Sequence, residues 1–204
     1  RAAVEIPNMP QREEPDGRIH ENHKDFIDAP LAEKGIAQCE AGGEGKRADG
    51  SIYRAHLPRL RELKIVFVSP LRRAMQTAAI VLAEHRYKSE IAVCIDPWMT
   101  DVFSWVSSIP QPLKETKAEA TKLFKGFKSI DFSALDALAS KADEEDLWLM
   151  QMLPAKDRLA YQELKENKQA FDFSSVQETM LEFLIMTKYA EPVANFKMRM
   201  EKHK

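Results

Sequence analysis

Two adjacent arginines, Arg72 and Arg73, stand between Val66-Phe67-Val68-Ser69-Pro70-Leu71 and Ala74-Met75-Gln76-Thr77-Ala78. Guanidiniums are suited to holding an anion, because each stays charged and offers planar N–H donors to carboxylate or phosphate oxygens. The other chemistry-bearing residues are less specific. His20 and His23 have an H-x-x-H spacing inside the polar stretch 10–24. No further ligand follows at a diagnostic spacing, so solvated loop histidines are the better reading and no metal is expected. Cys39 and Cys94 do not make a disulfide framework, and Cys39 reads as a core thiol rather than a nucleophile. Residues 41–50 hold four of the seven glycines. They lack the Gly-Lys-Ser/Thr ending of a phosphate-cradling loop, and no strand precedes them, so they read as a surface loop. No cofactor is expected.

The arginines need elements that hold them. Ile65 to Val68 is β-branched and aromatic, as a buried strand should be. Ser69 is placed to cap a helix and Pro70 to occupy its first position. Ala74, Ala78, Val81 and Leu82 recur at helical spacing and predict one apolar face. The arginines then fall at the carboxyl end of a strand and the first turn of a helix, where α/β proteins bind anionic ligands. Ile91 to Ile95 predicts a second strand. Residues 114–169 are helix-biased and broken near Gly126, Ser133 and Pro154. Ser175-Val176-Gln177-Glu178 reads as a capping box opening another helix.

Ser69-Pro70-Leu71-Arg72-Arg73-Ala74-Met75-Gln76-Thr77-Ala78 resembles the signature of the histidine phosphatase (phosphoglycerate mutase-like) superfamily. Asp28-Ala29-Pro30-Leu31-Ala32-Glu33-Lys34-Gly35-Ile36-Ala37-Gln38 is similar to a second motif of that family. There a threonine caps a helix where Ala32 stands here, and Gly35 would let the helix approach the sheet. The resemblance implies that Arg73 binds a substrate phosphate. Arg1, Ala3 and Asn8 fall on the family's first motif, and Ala2 then stands where its phosphorylated histidine would be. A methyl group cannot attack phosphorus. Met99 and Asp101 would match the segment that carries the general acid, with aspartate one methylene shorter than the family's glutamate. Lys197-Met198 would fall where the second catalytic histidine is expected, and the only histidine after His85 is His203. No catalytic residue is therefore expected, and Arg1, Asn8 and Arg73 would be a vestigial phosphate-binding set.

The resemblance implies an α/β fold: a twisted, mainly parallel sheet with flanking helices, in one domain spanning 1–204. It also implies a helical insertion at 110–170. Starting at Arg1 leaves little room for a strand before the first motif, so the fold is expected to be incomplete at both ends. Lysine plus arginine number 30 against 32 acidic residues, a balance that gives no footprint for nucleic acid. No apolar run reaches the roughly 18–20 residues of a membrane span. Two unpaired cysteines fit a reducing intracellular compartment, cytoplasm or organelle matrix. The run Leu147-Trp148-Leu149-Met150-Gln151-Met152-Leu153 follows four consecutive acids; it reads more readily as core, and is also the first candidate for an exposed docking helix.

Three functional expectations follow. The first is a catalytically inactive histidine-phosphatase-like protein with a structural or docking role, an accessory subunit partnered by other proteins of a larger assembly. The second is an active phosphomonoesterase or mutase whose sequence is incomplete at both ends and altered at residue 2. The third is a non-catalytic binder of a phosphate-bearing ligand.

Overall fold

Three short apolar segments pair side by side. The computed structural model describes residues 27–40, 62–100, 106–139 and 148–166. Among them β1 (Ile65–Val68), β2 (Ala92–Ile95) and β3 (Ser129–Asp131) form one parallel sheet in the order β1-β2-β3. The register sets Val66 against Val93 and Val93 against Ile130. Among the described residues five α-helices accompany it: α1 (Glu33–Glu40), α2 (Arg72–Leu82), α3 (Leu113–Leu123), α4 (Ser133–Ala139) and α5 (Ala155–Glu166). Parallel neighbours need a crossover, and α2 and α3 lie in the two connections. This is the α/β arrangement of parallel strands and flanking helices that the sequence implies. Ser129–Asp131 is the strand that a helix-biased reading of 114–169 lacks. The capping box at 175–178 and Lys197-Met198 lie outside the described residues.

β1 is less buried than a strand of Ile, Val and Phe suggests. Val68 is buried, while Ile65 and Phe67 are 51% and 56% exposed. Alternate residues face opposite sides of a strand, and only the Val66/Val68 side meets the core. β2 alternates in the same sense and more completely, with Val93 and Ile95 fully enclosed.

α2 also differs from its sequence reading. It starts at Arg72, and Ser69 does not cap it. The Ser69 hydroxyl instead accepts the Leu71 N–H, at 3.4 Å, inside the Ser-Pro turn. The inward face carries Met75, Ala78, Ala79 and Leu82, which keeps the expected Ala78 and Leu82 and sets Met75 and Ala79 in place of Ala74 and Val81. The longer Met75 side chain takes the central core position, and Ala74 and Val81 are left half-buried. Gly35 does not bring α1 to the sheet. A methyl group there would meet Leu31 at 3.2 Å, so the glycine makes room for the residue that enters its own helix.

The segment Trp148–Met152 is a short 3₁₀ turn rather than a docking helix. Trp148, Leu149, Met150 and Leu153 are all buried, packed with Leu135, Leu138 and Tyr161 in the main core. A turn wedged between α4 and α5 buries nearly every side chain it has, which leaves no apolar face for a partner. Cys39 is a buried free thiol, as its sequence context suggests. Among the described residues, no helix is long and apolar enough to cross a membrane.

Candidate anion site at the start of the central helix

Arg73 lies in the first turn of α2, just past the carboxyl end of β1. Its side chain is half-buried. The guanidinium Nη1 donates to the Ser107 carbonyl oxygen at 2.5 Å. Ser107 belongs to a 3₁₀ turn, Val106–Ser108, that leads toward α3. The arginine is thus braced between the start of one helix and the approach to the next.

The brace depends on a residue far upstream. Asp28 is fully buried, with a backbone φ of 44°, a left-handed conformation that aspartate adopts more easily than most residues. Its Oδ1 accepts the Arg72 N–H at 2.9 Å, and its Oδ2 accepts the Gln111 N–H at 3.2 Å. The acceptor that caps α2 therefore comes from 44 residues away. It satisfies one of the orphan amides that any helix start presents. Burial pushes the Asp28 carboxyl up to about 6, against the opposing pull of the two amides and of the Arg73 and Arg72 charges.

The remaining signature residues have structural work. Gln76 Oε1 accepts the Leu31 N–H at 2.7 Å and so rivets α2 to the segment that begins α1. The Thr77 hydroxyl donates to the Arg73 carbonyl at 2.8 Å, within the helix. Sequence reasoning quoted Asp28 and Gln76 as parts of motifs and gave neither a role. A lone carboxylate among Phe26, Ile27, Ala29, Pro30 and Leu31 was the available signal, since a buried acid must find donors.

Of the other expected site residues, none belongs to the described part of the structure. Arg1, Ala2, Asn8 and Asp101 lie outside the described residues, as do His20 and His23. His85 is buried beyond the far end of α2, about 14 Å of helix from the first turn at 1.5 Å per residue. Its Nδ1 accepts the Tyr87 N–H at 3.2 Å. Cys94 is half-buried on β2, with Sγ 3.9 Å from Asp131 Oδ2; burial and then that carboxylate push its thiol pKa up, away from the thiolate a nucleophile needs. Among the described residues no group of three or more His, Cys, Asp or Glu is placed to hold a metal ion.

Comparison with curated protein sequences and with solved structures gave no significant match. The family model of the histidine phosphatase superfamily (branch 1) matches residues 16–98. That span contains Asp28, Leu31, Arg73 and Gln76, and the parallel sheet with flanking helices is consistent with a phosphoglycerate mutase-like α/β fold. Residues 16–98 thus belong to a domain of the histidine phosphatase superfamily, branch 1.

Proposed function

We propose that this domain is catalytically silent and binds a phosphate-type anion at Arg73 without turning it over. The observation that carries the reading is the placement of Arg73. It is half-buried at the carboxyl end of a parallel strand, in the first turn of a helix whose entry is fixed by Asp28. The positive end of the helix and a guanidinium both favour negative charge there. The chemistry that would transfer a phosphoryl group needs an imidazole, and Ala2 stands at the position where the family resemblance puts it. Calorimetric titration with inorganic phosphate is expected to give saturable heat in the wild-type protein and none in Arg73→Ala. Equal heat in both proteins would refute the assignment.

A second reading is an accessory subunit in a larger protein assembly. The exposed Ile65 and Phe67 on β1 favour it, because a strand that presents large apolar side chains is a natural surface for a partner. Residues 148–153 do not support that reading, since Trp148, Leu149, Met150 and Leu153 fill the core.

A further inference from the structure

We propose that Asp28 is a pH-responsive clasp that positions Arg73: its carboxylate ties the first turn of α2 to the 106–111 segment, and a proton taken from solvent opens that tie. The inference deepens the anion-site reading above and rests on it for its effect on ligand. The contacts form a closed circuit. Asp28 Oδ1 holds the Arg72 amide, the neighbouring Arg73 holds the Ser107 carbonyl, and Gln111, four residues on, returns its amide to Asp28 Oδ2. Both carboxylate oxygens act as acceptors.

A neutral carboxyl keeps one good acceptor and turns its other oxygen into an O–H donor. A donor cannot serve a second N–H, so one of the two amides must lose its partner. The Gln111 contact, at 3.2 Å against 2.9 Å for Arg72, is the weaker and is the one that yields. The segment bearing Ser107 is then released from Asp28. The same proton removes a negative charge that acts on Arg73 and competes with any bound anion. Burial brings this titration into reach, since it pushes the Asp28 carboxyl up to about 6. The charged groups acting on Asp28 are Arg73 and Arg72, both from α2. Residues 27 and 29–31, and residues 107–111 (Ser-Ser-Ile-Pro-Gln), contribute no other titratable side chain.

Sulfate is the suitable probe, because its charge does not change between pH 5 and 7.5. Calorimetry on the full chain is expected to show sulfate bound at least about fivefold more tightly at pH 5 than at pH 7.5, within the usual range of coupling between sites. In wild-type protein the Arg72 and Gln111 amide resonances should titrate together, with a midpoint near 6. Asp28→Asn should abolish the shared titration and bind sulfate equally at both pH values. Separate or absent titration of the two amides in the wild type overturns the clasp, as does a pH dependence that survives in Asp28→Asn. If sulfate binds neither protein while the two amides still titrate together, the clasp stands and the anion-site reading fails.

Discussion

Truncation of Trp148 to alanine is expected to destabilise the protein by about 3–5 kcal/mol, the range for large aromatic residues deleted from a core. Trp148 is 1% exposed and sits among Leu135, Leu138, Leu149 and Tyr161 in the main cluster. The cavity left by the indole is too enclosed to collapse cheaply. Trp148→Phe should behave differently. The indole Nε1 is buried with no hydrogen-bond partner among the described residues, and a buried unpaired donor costs about 1–3 kcal/mol. Phenylalanine removes that donor at the expense of a small void, so its stability should lie within about 1 kcal/mol of wild type. Urea unfolding of the three proteins checks both values. Equal losses for the two variants would show that the indole nitrogen is satisfied.

The second large effect is the dependence of stability on pH through Asp28. Its pKa is raised in the fold to about 6, from an ordinary 3.8. A carboxyl shifted upward contributes stability that is fully present below its unfolded pKa and is lost as pH rises through its folded pKa. The gap between about 6 and 3.8 corresponds to about 3 kcal/mol, at about 1.4 kcal/mol per pH unit. Wild-type stability relative to Asp28→Asn should therefore be greatest near pH 4 and fall by about that amount by pH 7. Asparagine is the suitable reference, since it also tolerates the left-handed backbone at this position. The other titrating groups cancel in the difference. Denaturant midpoints measured at intervals across that range give the curve. A flat difference, or one that rises with pH, would mean that burial does not dominate at Asp28.

These two residues also show what could be read from the chain and what could not. β1, α2 and β2 were legible because each is a local pattern: an apolar tetrad, a helical repeat, a second apolar run. The phase of α2 was not, because Ala74 and Met75 both suit a buried face, and only packing against the sheet selects Met75. The cap of α2 was misassigned for a related reason. Local rules favour Ser69, but the acceptor that reaches the helix comes from Asp28, across 44 residues of sequence. β3 is three residues long, with the sequence Ser-Ile-Asp, and has no signature that separates it from a loop. The run around Trp148 has the composition of a binding helix, and its fate depends on the two helices that enclose it.

At the site, Arg73 was legible from its motif and from the strand–turn–helix that carries it. Its contact with the Ser107 carbonyl was not, because a backbone acceptor leaves no trace in side-chain identity. Gln76 and Thr77 belong to the signature that carries the family resemblance, and in the fold they bond backbone groups. Much of what identifies the family in this stretch is therefore scaffold. That part of the sequence can persist whether or not chemistry does.

Phosphorus NMR of a phosphomonoester mixed with the protein tests the central claim most directly. The ester resonance should shift on addition of wild-type protein, stay in place with Arg73→Ala, and give no inorganic phosphate signal during prolonged incubation. Growth of an inorganic phosphate signal above the protein-free control would contradict the account, as would an ester resonance that wild-type protein does not move.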